Sequence, residues 1–297
     1  MIITDNATRC SRETRGVLLG LVGVLCFSAS LPFTHVAVRE FGVIFPSFGR
    51  AVIAATLASI VLRVTRTPLP PRQLWGRMAM VVGGVVVGFP AFTGVALQHA
   101  PTGHGSVVIG LLPAATAGFS VLRTGQRPSM RYWMFAALGA AAIVVLTLAR
   151  GTPDVALGDL YLVGAVACAA VGYTEGAVVS RQIGGWQTIS WAVVFGLPIT
   201  LPLTLIGLGP VSFHEPVTAW IALAYLGTVS MFLGFFAWYA GLVMGGIARV
   251  SQVQLLQPML SLAWATLFLH EHLDALIITV ALVVLASVAG SRRSAIA

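Results

Sequence analysis

Charge is what this chain has least of. Of its 297 residues, 17 are basic and 9 acidic, so charged side chains make up 9% of a sequence that is 58% hydrophobic. A soluble domain carries about 25% charged residues and about 45–50% apolar ones. The shortage excludes a water-exposed globular fold, and lipid must stand where water would. Lysine is missing altogether, every basic residue being arginine. Cysteine is nearly so: Cys10, Cys26 and Cys168 have no spacing that fits a disulfide or a metal site, which leaves them as small hydrophobes. The motifs of enzymes and pumps are also lacking. There is no Gly-x-Ser-x-Gly, no His-Glu-x-x-His and no phosphate-binding loop, which argues against an intramembrane hydrolase or a nucleotide-driven pump and implies no cofactor.

What is present is a series of charge-free stretches: residues 16–38, 78–122, 182–214, 216–248, 250–270 and 275–291. A membrane-crossing helix needs about 20 such residues. Helices are predicted at 16–37, 43–62, 74–97, 102–122, 131–149, 158–180, 187–208, 217–241, 246–269 and 273–290, ten spans in all. A β-barrel would alternate apolar and polar residues, and runs such as Val81 to Val87 and Ala136 to Leu146 do not. The connections are too short for a soluble domain, so function lies within the membrane or at its faces.

The arginines set the orientation. With a cytoplasmic N-terminus, 14 of them fall on inner segments, and Arg39, Arg50 and Arg150 fall to the outer half. That positive-inside bias agrees with an even number of spans and places both termini in the cytoplasm, in a cell membrane. The +8 net charge is thus topological, and no nucleic-acid partner is implied. The first helix is read as retained, because no small-residue cleavage site is evident and nine more apolar segments follow.

The chain also repeats itself. A shift of 145 residues aligns Ser106 with Ser251, Val108 with Val253, Leu111 with Leu256, Pro113 with Pro258 and Leu122 with Leu267. A shift of 142 aligns Gly16, Cys26 and Arg39 with Gly158, Cys168 and Arg181. The expected organisation is an inner tail (1–15), repeat 1 (16–149), an external linker (150–157), repeat 2 (158–290) and an inner tail (291–297). Each half holds an odd number of spans and so enters the membrane in the opposite sense, giving two inverted five-helix repeats with the substrate path between them.

In repeat 2 the pieces Gly158-Asp159-Leu160, Tyr225-Leu226-Gly227-Thr228-Val229-Ser230, Trp238-Tyr239, Pro258 and Glu271, and in repeat 1 Pro46, Arg50, Pro113 and Arg127-Pro128, resemble the EamA type of the drug/metabolite transporter superfamily. One departure is Gln126-Arg127-Pro128, where the family commonly has Glu-Arg-Pro. The resemblance implies ten helices in two inverted repeats, alternating access, and export of amino acids, metabolites or drugs.

Several residues are candidates for the substrate or proton path. Glu175, in Gly172-Tyr173-Thr174-Glu175-Gly176, is predicted near the middle of helix 6, where a charge costs about 2.5–3.5 kcal/mol. It should be neutral, paired or facing a wet cavity, which suits proton coupling, a substrate ammonium, or a plain hydrogen bond to a neighbouring helix. Arg50 either snorkels to the outer interface or faces the cavity as a cation for a carboxylate or phosphate, balancing Glu175. Gln254 and Gln257 share a helical stripe with Ser261, fit either for interhelical bonding or for lining the path. Tyr173 belongs to the same path, and Phe92 is a candidate cavity wall, although apolar packing suits it equally. Pro113 and Pro258 interrupt the backbone ladder within their helices and are candidate gates. His35, His99 and His104 are read as loop or interface residues, and Trp238 and Tyr239 as an interfacial belt. His270-Glu271-His272 is read as no metal site, because i, i+2 spacing puts the histidines on different faces. The partners expected are a small-molecule substrate and the bilayer, and the sequence leaves a homodimer open.

Overall fold

The computed structural model of the chain describes residues 2–124, 129–150, 153–212, 214–245 and 250–294, and these are helical without strands. Ten apolar segments follow one another: α1 (Glu13–Phe41), α2 (Ile44–Val64), α3 (Arg72–His99), α4 (Thr102–Arg123), α5 (Trp133–Leu146), α6 (Ala156–Ile183), α7 (Gly185–Leu208), α8 (Val217–Gly245), α9 (Val253–Leu269) and α10 (Ala275–Gly290). Among the described residues, seven are long and apolar enough to cross a membrane, while α5, α9 and α10 are shorter. Gln126, Arg127 and Pro128, and the start of the inter-repeat linker, lie outside the described residues.

The two halves share their irregularities. Gly42 (φ 74°) turns α1 into α2, and Gly184 (φ 97°) turns α6 into α7. Both need the left-handed region that glycine enters without a Cβ clash. A π-helical stretch widens α3 at Val82–Gly88 and α8 at Leu226–Leu233. Helix α4 is broken at Gly110–Leu111, just before Pro113. A 3₁₀ turn over Ser251–Leu256 precedes Pro258. A proline cannot donate to the carbonyl four residues back. Each proline stands in the first turn of the helical segment that follows such a break. The two interruptions meet: a Cβ on Gly110 would lie 3.2 Å from Pro258 Cγ.

Each helix of one repeat packs extensively on a helix of the other. Helix α1 packs along α8, α3 along α6, α2 along α7, α4 on α9 and α5 on α10. Every pairing maps onto another, or onto itself, when the repeats are exchanged. Small residues allow this closeness. A Cβ on Gly16 would come within 2.3 Å of Gly245 N, and one on Gly84 within 2.4 Å of Cys168 O. Association of apolar helices in lipid rests on such backbone approach. Large apolar side chains such as Leu18, Ile60, Leu122, Leu205 and Leu267 face outward, as a lipid-facing surface requires.

Candidate functional site

The centre of the bundle is built from interruptions in regular helix. Pro32 has no N–H to give the Ser28 carbonyl, and Ser261 of α9 donates to that carbonyl instead, Oγ to O 2.6 Å. Tyr225 of α8 likewise donates to the Cys26 carbonyl at 3.0 Å. Helix α1 therefore pauses at Ala29, and Ser30 Oγ lies 2.6 Å from Ser230 Oγ in the π-helical part of α8. Arg50 reaches the same serine, its Nη2 donating to Ser230 Oγ at 2.9 Å.

These groups border a cavity whose polar lining is Ser30, Arg50, Tyr173, Ser230 and Gln257 and whose apolar walls include Phe27, Phe89 and Phe235. Helices of both repeats contribute. The cavity holds about 20 Å³, room for about one water, so the chain stands closed around its centre. Arg50 is 3% exposed, its Nε has no hydrogen-bond partner, and neither has Gln257 Oε1. The interface-snorkelling alternative for Arg50 does not hold.

Glu175 lies elsewhere. It sits eight residues from the end of α6 rather than at mid-span, at the arginine-rich end of the bundle. Its side chain is fully buried. Arg77 Nη1 donates to Oε2 at 2.5 Å and Arg123 Nε donates to Oε1 at 2.8 Å. Both carboxylate oxygens are thus occupied, so Glu175 neither balances Arg50 nor presents a free face to a substrate ammonium in this state. The arrangement ties α3, α4 and α6 together.

A second set of polar contacts lies at the opposite end of α4. Glu271 accepts from Thr102 N at 2.9 Å and from Gly103 N at 2.7 Å, capping the start of α4 from across the repeat boundary. A carboxylate there satisfies orphan donors and complements the helix dipole. Next to it, His104 Nε2 lies 2.6 Å from Asp159 Oδ1, with His104 1% exposed. His104 is therefore a buried, paired residue and not a loop histidine.

Other candidates take different places. Phe92 packs over Gly164 and toward Tyr161, ring centroids 6.2 Å apart, and is not among the cavity walls. Gln254 is buried with both amide atoms unpartnered, one turn from Gln257. Trp238 and Tyr239 are fully buried, against the expected interfacial belt: Trp238 joins Phe27 and Tyr173 in an aromatic cluster, and Tyr239 donates to the Gly172 carbonyl. Among the described residues there is no cluster of three or more groups that could hold a metal.

Sequence reasoning missed Arg77, Arg123 and the His104–Asp159 pair as partners. In the sequence Arg77 and Arg123 carry only an orientation signal, and the structure brings both to Glu175.

Comparison with known proteins agrees with this architecture. The profile of the EamA-like transporter family matches residues 14–148 and again 156–293, so the two repeats are two copies of one family unit. A protein described as "Uncharacterized transporter YdeK" from Bacillus subtilis (strain 168) is 43% identical over 286 residues, spanning 96% of this chain and 99% of that one. A solved chain described only as "Crystal structure of protein" has the same fold, with a TM-score of 0.66 at 18% identity over 95% of this chain and 98% of its own.

Proposed function

Because the chain belongs to the EamA-like transporter family, and is therefore a multi-pass membrane transporter and not an enzyme, we propose that it is a secondary carrier exporting a small metabolite by alternating access. The cargo is an amino acid, a related compound or a drug-like molecule. The observation that carries this reading is the small polar cavity around Arg50, Tyr173 and Gln257, walled by both repeats. In this reading all ten segments span the membrane as two inverted repeats, the short α5, α9 and α10 included. The arginine-rich end faces the cytoplasm. Glu175 with Arg77 and Arg123 forms the inner latch, and Glu271 with the start of α4 forms the outer one. Opening one latch while the other holds exposes the cavity to one side at a time.

A second reading makes the carrier a proton exchanger, and the buried His104–Asp159 pair favours it, since the imidazole and the carboxylate, 2.6 Å apart, share one hydrogen bond between two groups able to hold a proton. Moving one charge inward gains about 2.3 kcal/mol per 100 mV. In the same reading Glu175 contributes only by breaking its latch.

The experiment is a flux screen. Purified protein in liposomes, and everted vesicles that overproduce the chain, are loaded with labelled amino acids, organic acids, amines and dyes. Gradient-dependent movement of at least one class over protein-free controls is expected. No movement of any class in either system sinks the carrier reading.

A further inference from the structure

Arg50 is a buried cation at the centre of the bundle, with no acid paired to it among the described residues. Its Nη2 is satisfied by a serine, its Nε is buried without a partner, and the ionisable groups acting on it are the phenols of Tyr173 and Tyr225. Among the described residues the buried acids are engaged with other partners, Glu175 with two arginines and Asp159 with His104. Among the described residues, no Asp, Glu, Lys or second Arg lines the cavity. A buried charge without a counter-ion is strongly unfavourable. In a carrier, one component can supply that counter-ion and then leave, and that is the cargo.

The geometry points to a monoanion site: the transported species carries one carboxylate, which pairs with the Arg50 guanidinium, while its body rests on Phe27, Phe89 and Phe235. This rests on the carrier reading above and narrows its cargo. A planar guanidinium fork matches a carboxylate. The Ser30 and Ser230 hydroxyls, the Tyr173 phenol and the open Gln257 amide complete the polar ring. One guanidinium neutralises one charge, so a phosphate dianion is left half unpaired. With no acid in the cavity, an ammonium finds no counter-charge, which disfavours cations and gives amino acids no advantage over plain carboxylates.

The direction of transport follows from the same charge. An inside-negative potential drives a monoanion outward, and 100 mV sustains a roughly forty-fold gradient without any coupled proton.

The test uses the full-length protein in detergent and in liposomes. Thermal unfolding is followed with a panel of aliphatic and aromatic monocarboxylates, phenylacetate among them, each beside its primary amide and its amine, together with phenylalanine and phenyl phosphate. Saturable stabilisation by a carboxylate, absent with the amide and amine, is expected. Arg50→Gln abolishes it, and Arg50→Lys, which keeps the charge but loses the fork, weakens binding about tenfold. Unfolding curves without ligand verify that both variants fold. In liposomes, an inside-negative potassium diffusion potential accelerates carboxylate efflux. Equal stabilisation by amide or amine, a carboxylate response surviving in folded Arg50→Gln, or efflux indifferent to potential overturns the anion site. If phenylalanine or an amine moves while carboxylates do not, the carrier stands and the anion site falls. If no solute moves and none stabilises, the carrier reading has failed first.

Discussion

Glu175 and Arg123 are 52 residues apart in the chain, yet Arg123 Nε lies 2.8 Å from Glu175 Oε1, a fully buried carboxylate held by an arginine whose side chain is nearly half exposed. With Arg77 on the other oxygen, this contact joins three helices at one end of the bundle. Opening that end means pulling two arginines from one carboxylate.

Glu175→Gln should therefore favour the state open at the arginine-rich end. Removing one partner of a buried ion pair costs about 3–5 kcal/mol; solvent around the exposed arginines reduces this to about 1–3 kcal/mol. That corresponds to roughly a 5- to 150-fold shift in population. The measure is labelling of Ala169→Cys, on the cavity wall, by an impermeant maleimide in everted vesicles, in a background with Cys10, Cys26 and Cys168 all replaced by Ala. Unchanged labelling would remove the latch.

Glu271→Ala acts on the other end. It strips two accepted N–H bonds from the start of α4 and should cost about 0.5–2 kcal/mol, the scale of a lost helix cap. A melting temperature lowered by a few degrees in detergent is expected, with Glu271→Gln in between. Equal stability of Glu271→Ala and wild type would show the cap to be energetically silent.

Asp159→Asn tests the proton-exchange reading. The other titratable groups around that end include His35, Arg39, Glu40, His99, Tyr161, His270, Glu271, His272 and Asp274, and the variant leaves them in place. If the His104–Asp159 pair carries the proton, the dependence of flux on an imposed pH gradient flattens in Asp159→Asn and in His104→Gln. A profile parallel to wild type in both variants excludes the pair.

Gly84→Val and Gly16→Val test the helix contacts. Each added side chain would start from a Cβ within 2.4 Å of backbone on a facing helix, which side-chain movement cannot relieve. Overpacking costs about 1–3 kcal/mol or more, so a sharp fall in folded yield is expected. Gly83→Val, where a Cβ meets nothing within 4 Å, should be tolerated and serves as the control.

Much of this architecture was legible from spacing alone. Pro113 and Pro258 stand 145 residues apart, and each opens a helical segment after a break at the same point of its repeat. Arg50 stood out because a charge within an apolar span is rare. The partners were not legible. Arg77 and Arg123 look like every other arginine at the end of a span, and only packing α3 and α4 against α6 brings them to Glu175. Trp238 and Tyr239 carry the composition of an interfacial belt, yet the close approach of α8 to α1 and α6 buries them.

The sequence by itself determined the solvent, the helical periodicity, the duplication and the family, because these follow from composition and repetition along one dimension. The tertiary structure decided which charges meet. It paired Glu175 with two arginines and left Arg50 with none, because an ion pair depends on where helices cross in space, and a linear sequence carries no record of the crossing.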